Sequence, residues 1–118
     1  MLFRSSPDGW IAVSVDGSYY NARGKSGVAV VIRDSQGDFI LASCKHYDHC
    51  TDAFEAEALA LREGLITALA YTAQPLVLQT DCANLEKVLK DDSMNKSHIG
   101  HLVNEIKEIL EEIGRAHV

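Results

Sequence analysis

Three strand-like segments follow one another near the start of the chain. Residues 10–16 (WIAVSVD) alternate in character, residues 27–34 (GVAVVIRD) are apolar on both faces, and residues 38–46 (DFILASCKH) form the third segment. A period of two residues is typical of strands. A polar loop at residues 21–26 and a hairpin-length turn at residues 35–38 connect them. These segments are therefore predicted to form an antiparallel three-strand meander.

The pattern changes after residue 50. Thr51 or Asp52 can cap a helix over residues 54–72, which are rich in Ala, Leu and Glu. A fourth strand (PLVLQT, residues 75–80), a short helix (residues 83–92) and a third helix (residues 98–114) follow, and residues 115–118 begin a last strand. Since a helix crossover separates the first strand from the fourth, we expect them to lie side by side and parallel. The predicted fold class is α/β, a mixed sheet flanked by helices.

Composition narrows the class of protein. The 118 residues contain no repeat, low-complexity tract or linker, so residues 1–118 are predicted to be a single domain. No apolar run spans a bilayer, and the start of the chain lacks a signal-peptide pattern. Three cysteines are too few for a disulfide framework. We expect an intracellular protein, cytoplasmic or nuclear, without a membrane partner.

The net charge of -6 argues against binding nucleic acid through bulk charge, but not against a nuclease whose metal neutralises carboxylates.

Glu57 stands out because it falls within the apolar face of the first predicted helix. The same arc holds small residues, Ala60, Gly64 and Ala68. Their size implies a close approach of this helix to the sheet, whereas Glu55 and Glu63 are expected to point away from it. An ionised carboxylate on such a face is costly unless it is paired or binds a metal. The alternative is a helix near an edge, with Glu57 reaching water or a basic side chain.

Asp16 and Asp81 follow the first and fourth predicted strands. Each has an ordinary structural interpretation, Asp16 as a turn residue and Asp81 as a helix N-cap. However, ligands of open α/β sheets collect beyond the carboxyl ends of strands, and these two strands are predicted to be parallel neighbours. Together with Glu57 they would form a carboxylate cluster, which repels itself unless a cation lies between its members. Oxygen ligands of this kind suit Mg²⁺ or Mn²⁺ and the hydrolysis of phosphodiesters.

The segments VSVDGSYYNARGKSGVAVVIRDSQGDFILA, EAEALALREGL and LQTDCANLEKVL resemble the ribonuclease H fold. More narrowly, they are similar to the reverse-transcriptase-like ribonuclease H domains, related to retrotransposons, that are common in plant genomes. The resemblance runs from about residue 10 to residue 118. It implies a mixed five-stranded sheet, with Asp16, Glu57 and Asp81 as the catalytic, metal-binding carboxylates and Asp16 bridging two ions of Mg²⁺ or Mn²⁺. The implied activity is endonucleolytic hydrolysis of RNA in RNA–DNA hybrids.

One departure from the family pattern limits this expectation. The family carries a fourth acid on a helix after the last strand, and no residue up to Val118 takes that role; Glu111 and Glu112 lie on another helix and face outward. The resemblance therefore implies one sound metal site, one impaired site and reduced activity. An incomplete last strand and final helix would favour pairing between copies, and the chain also fits as part of a larger protein. The alternative function is a non-catalytic ribonuclease H-like module that binds protein or nucleic acid.

Two further groups of side chains suggest binding sites. The segment just after Asp16 is aromatic and basic, and its candidate substrate-binding residues are Ser18, Tyr19, Asn21, Arg23 and Lys25. This segment suits base stacking and phosphate contacts, or it forms a solvated hairpin with no ligand.

The second group has the pattern C-x-H-x-x-H-C, formed by Cys44, His46, His49 and Cys50. It allows a zinc site, although a strand end followed by a polar loop is the simpler interpretation. A small-molecule-binding α/β domain would need a Gly-rich phosphate loop, and the sequence contains none.

Overall fold

The computed structural model describes residues 8–20, 22, 24–91 and 98–118. Five strands and three helices follow in the order β1 (Ile11–Tyr20), β2 (Lys25–Arg33), β3 (Phe39–Tyr47), α1 (Ala53–Tyr71), β4 (Leu76–Gln79), α2 (Ala83–Lys90), α3 (Gly100–Ile113) and β5 (Ala116–His117). None of the helices within these residues combines the length and the hydropathy that crossing a membrane requires.

One mixed sheet contains all five strands, in the order β3-β2-β1-β4-β5. β1 pairs antiparallel with β2, and β2 pairs antiparallel with β3, which confirms the predicted meander. β4 lies parallel to β1, with Ser14 opposite Gln79, and the short β5 lies parallel to β4. The parallel pair confirms that a helix crossover returns the chain to the centre of the sheet.

The first hairpin is longer than the sequence pattern predicts. β1 continues four residues beyond Asp16, and β2 begins at Lys25, within the segment that the sequence pattern predicts to be a loop. Ser18 pairs with Gly27, and Tyr20 pairs with Lys25. The pattern misses this extension because the ladder is made by backbone groups, which do not require an apolar side chain on an open sheet face.

The first helix begins at a capped position. Asp52 is the N-cap, and its carboxylate accepts a hydrogen bond of 2.9 Å from the backbone N–H of Glu55. The Glu55 carboxylate in turn accepts a bond of 2.7 Å from the backbone N–H of Thr51. Of the two predicted caps, Asp52 is therefore the one used, and Thr51 belongs to the same reciprocal arrangement. His98 Nε2 also lies 2.9 Å from Asp52 Oδ2 and so links the segment before α3 to the start of α1.

The core lies between the sheet and the helices. Val13, Val15, Val30 and Ile32 of the central strands are buried, as are Leu61 and Leu65 of α1, and Leu102, Val103 and Ile106 contribute from α3. At its end α3 stops at Gly114, whose φ of 64° is left-handed and whose N–H donates to the Leu110 carbonyl. The turn lets residues 116–117 pair with β4, in agreement with the predicted last strand.

Glu63 corrects a prediction, because it does not point away from the packed side of α1. Its carboxylate faces β3, where it accepts hydrogen bonds of 2.6 Å from the Tyr47 hydroxyl and 3.2 Å from Lys45 Nζ. Burial alone would raise the pKa of Glu63, but these two donors hold that pKa below its ordinary value. The contact fixes the edge strand β3 to α1, and no pattern within α1 could reveal it.

Replacing Tyr47 with phenylalanine should destabilise the fold by about 1–2 kcal/mol, because the half-buried Glu63 carboxylate loses its shortest hydrogen bond. The free energy of urea-induced unfolding measures this loss. Lys45→Met is the matched control and should have a smaller effect, since Lys45 is exposed. Equal unfolding midpoints for Tyr47→Phe and the unmodified chain would show that the Tyr47–Glu63 bond adds no stability.

Candidate functional site

Asp16 and Asp81 lie at the same end of neighbouring parallel strands. The register of β1 and β4 pairs Ser14 with Gln79, so each aspartate lies two residues beyond that pair. Neighbouring strands are about 4.8 Å apart, which brings the two positions to adjacent points at the carboxyl edge of the sheet. Both residues are exposed. Asp81 is not the N-cap of α2, because Cys82 holds that position and its N–H donates to Thr80 Oγ1 at 3.1 Å.

Glu57 reaches this edge from the first turns of α1. It is half-buried rather than fully enclosed, since α1 begins where the sheet opens to solvent. The neighbouring helix residues Ala56 and Ala58 are fully buried. The backbone of Glu57 lies against Gly17, the residue that follows Asp16.

Gly17 allows this close contact because it has no side chain. A Cβ atom at Gly17 would collide with the carbonyl group of Ala56 and would lie 2.9 Å from the backbone nitrogen of Glu57. The φ angle of Gly17 is not in the left-handed region, so its role here is to make space and not to form a turn. The start of α1 therefore rests directly on the backbone of β1.

Burial and neighbouring residues change the pKa of Glu57. Burial is the largest effect and raises the pKa of Glu57, and the negative charges of Asp16 and Asp81 raise that pKa further. The Gly17 N–H acts in the opposite direction, because it stabilises the ionised form. Asp16, Glu57 and Asp81 therefore interact electrostatically, as the sequence suggests, although their predicted role as metal ligands stays a prediction.

The donor set suits a hard divalent cation, but its spacing is not that of a closed ligand shell. Among the residues that the structure describes, no three His, Cys, Asp or Glu side chains are grouped closely enough to hold a metal ion. Carboxylates that repel one another separate when no cation lies between them, and Mg²⁺ and Mn²⁺ prefer such oxygen ligands. The chemistry of Asp16, Glu57 and Asp81 thus suits Mg²⁺ or Mn²⁺. Asp16 and Asp81 are exposed enough to reorient around such an ion.

The candidate substrate-binding residues do not all lie on one surface. Ser18 and Lys25 are exposed, and they line an open depression of about 340 Å³ on the sheet. Tyr19 instead packs against the core, because it lies on the face of β1 that α1 covers. Asn21 and Arg23 lie outside the described residues. Tyr19 is therefore half-buried and supports the fold, and its role in binding a substrate stays a prediction.

His46 is a surface residue that the sequence did not connect with Asp16. Across the sheet Ser18 pairs with Gly27, and Gly27 pairs with His46, so Ser18 and His46 flank a residue without a side chain. A second depression of about 240 Å³ joins Asp16 to Cys44 and His46. Only the strand register, which a single sequence does not give, could have revealed this neighbourhood.

The zinc alternative finds no support in the placement of its cysteines. Cys44 is exposed on β3, whereas Cys50 is buried and its thiol donates to the Asp52 carbonyl at 3.3 Å. Burial raises the pKa of the Cys50 thiol, which disfavours the thiolate that zinc binds. The residues from 44 to 50 therefore act as a strand end and a loop.

A family model described as reverse transcriptase-like matches residues 14–118. The chain belongs to the reverse transcriptase-like family. No curated protein matches it in sequence. Membership in this family agrees with the order of elements and with the resemblance found in the sequence.

Solved structures show which fold this family member adopts. LC11-RNase H1, isolated from compost, has a TM-score of 0.80 at 19% identity, with 93% of this chain and 84% of that chain covered. RNase H1 of Halobacterium salinarum has a TM-score of 0.73 at 19% identity, covering 89% and 76%. The N-terminal RNase H domain of rv2228c from Mycobacterium tuberculosis has a TM-score of 0.78 at 16% identity, covering 93% and 79%. At these identities the likeness establishes the fold, which is the ribonuclease H fold.

Proposed function

We propose that this chain is a metal-dependent endonuclease that hydrolyses RNA in RNA–DNA hybrids, with reduced activity. The observation that supports the proposal is the strand register, in which Asp16 and Asp81 each lie two residues beyond the paired Ser14 and Gln79 of neighbouring parallel strands, while both aspartates raise the pKa of Glu57. LC11-RNase H1, which shares the fold at a TM-score of 0.78 and 18% identity, has been solved in complex with an RNA/DNA hybrid. Because the identity is low, that likeness supports the substrate only as part of this proposal.

The three carboxylates would have separate tasks. Asp16 and Asp81 would hold Mg²⁺ or Mn²⁺ through oxygens that are exposed to the approaching substrate. Glu57 would contribute its ligand oxygen from the first turns of α1, whose backbone rests on Gly17. When bound, the cation supplies a more acidic water for in-line attack on the phosphodiester and charge stabilisation for the leaving oxygen.

The rest of the proposed site binds the substrate backbone. Exposed Lys25 can contact a phosphate, and the exposed Ser18 hydroxyl can donate to a sugar or phosphate oxygen. The net charge of -6 gives little general attraction for a polyanion, so affinity would depend on these local contacts and on the cation. This dependence is one reason to expect a slow enzyme.

A hybrid with a labelled RNA strand tests the activity. We expect slow cleavage of the RNA strand in Mn²⁺, slower cleavage in Mg²⁺ because its coordination geometry is stricter, and none in EDTA. The corresponding DNA duplex should stay intact under the same conditions. Absence of any cleavage of the hybrid, at enzyme concentrations that saturate it, would contradict the proposed endonuclease.

The second candidate is a non-catalytic module that binds nucleic acid or protein. The spacing of the three acids favours it, since no metal-holding group of three side chains exists within the described ranges. The same hybrid separates the two functions, because a module would bind the hybrid with equal affinity in Mn²⁺ and EDTA and leave its RNA strand intact.

A further inference from the structure

We propose that Gly64 is a positioning residue for Glu57, because its missing side chain lets α1 lie close enough to β1 to bring Glu57 beside Asp16. Gly64 is seven residues beyond Glu57, about 10 Å along the helix, and touches none of the three acids. The inference rests on the proposed metal site and adds how the geometry of that site is held.

The contact beneath Gly64 has no spare room. A Cβ atom there would lie 2.5 Å from Val15 Cγ1 and 3.2 Å from Val13 Cγ1. Val15 is 1% exposed, it immediately precedes Asp16, and its β-branched side chain is stiff. Apolar carbons pack at about 3.5–4.0 Å, so a methyl group at Gly64 would move α1 away from β1 by roughly 1 Å.

One row along the buried face of α1 allows such an approach. The residues at intervals of four are small and buried: Ala56, Ala60, Gly64 and Ala68. Near the site, Ala56 and Glu57 lie against Gly17, where an added Cβ would also collide. The helix thus meets β1 at two points, at Gly17 beside the acids and at Val15 under Gly64. Because a helix is stiff, lifting it at Gly64 should also move Glu57 away from Gly17 and Asp16.

The expected consequence is a weaker metal site in a folded protein. A displacement of about 1 Å by a change remote from the chemistry can reduce a rate roughly a hundredfold. Loss of a partner that orients a ligand commonly weakens metal binding about ten- to a hundredfold. Gly64→Ala should therefore bind Mn²⁺ about tenfold more weakly than the unmodified chain.

Mn²⁺ titration followed by electron paramagnetic resonance tests this on the 118-residue chain. Val15→Ala removes the methyl groups that an alanine at position 64 would strike. The double variant Gly64→Ala with Val15→Ala should therefore recover the affinity of Val15→Ala to within about twofold. In NMR spectra without metal, the Gly17 amide signal should shift in Gly64→Ala and return in the double variant, since Gly17 lies against the backbone of Ala56 and Glu57.

A merely structural role for Gly64 predicts a different result. Ile106→Val, a change in the buried part of α3, should lower stability and leave both the Mn²⁺ affinity and the Gly17 signal unchanged. If Gly64→Ala behaves like Ile106→Val, or if Val15→Ala does not rescue it, the inference is overturned.

Should Gly64→Ala fail to fold, Val15→Ile adds bulk at the same contact from β1 and should likewise weaken Mn²⁺ binding. An unmodified chain that binds no Mn²⁺ would contradict the proposed function, whereas the Gly17 signal would still decide the positioning role.

Discussion

Replacing Asp16 with asparagine should weaken the binding of Mn²⁺ and Mg²⁺ by at least about tenfold and should reduce hybrid cleavage about a hundredfold or more. The amide keeps the size of the side chain but removes one negative charge and leaves a poorer oxygen donor. Asp16 matters most among the three acids because it lies on the central strand β1, which is next to β4, the strand that leads to Asp81, and in contact with α1, the helix that carries Glu57.

Isothermal titration with Mn²⁺ and the labelled-hybrid assay measure the two effects separately. Asp38→Asn is the matched control, because it makes the same chemical change at an exposed position in the β2–β3 turn, at the opposite end of the sheet. That control should bind and cleave like the unmodified chain. Identical Mn²⁺ isotherms for Asp16→Asn and Asp38→Asn would mean that the carboxylate cluster holds no cation.

The sequence predicts most of this fold because the spacing of its apolar residues differs between strands and helices. A two-residue period up to β3 and a helical period in α1 and α3 identify the elements, and the α1 crossover makes β1 and β4 parallel. What the pattern misses is set by backbone pairing, as in the continuation of β1 to Tyr20 opposite Lys25. An exposed polar strand end has no apolar signal to reveal it.

The same distinction applies to the candidate site, because the sequence pattern predicts some of its residues and not others. The sequence identifies Glu57 as a candidate site residue because an ionised acid on an apolar helix face is energetically unfavourable unless it is paired or binds a metal. The small residues on the same face indicate the close approach of α1 to β1. The interaction of Glu63 with Tyr47 and the space provided by Gly17 could not be found, because both depend on a partner from another element. The periodicity of a helix or strand predicts on which face a side chain lies, but not which residue of another element it contacts.

The last prediction is that Glu57→Gln stabilises the metal-free fold while it disables the site. Burial and the charges of Asp16 and Asp81 raise the pKa of Glu57 above its ordinary value of 4.5, so the folded state favours the protonated carboxyl group. The unfolded chain lacks these neighbours. As pH rises from about 4.5 through the higher folded pKa, Glu57 therefore lowers the free energy of unfolding, and above that range the loss is constant. A neutral glutamine avoids the loss.

Thermal unfolding in EDTA should show Glu57→Gln more stable than the unmodified chain by on the order of 1 kcal/mol at pH 7, with the difference vanishing below about pH 4. Saturating Mn²⁺ should reverse the order, because a cation stabilises only the protein that binds it. Glu108→Gln, at an exposed position on α3, should change stability little under any of these conditions. If Glu57→Gln is instead less stable in EDTA at neutral pH, the Gly17 N–H outweighs the burial and repulsion of the carboxylate, and Glu57 is a structural anchor of α1 on β1.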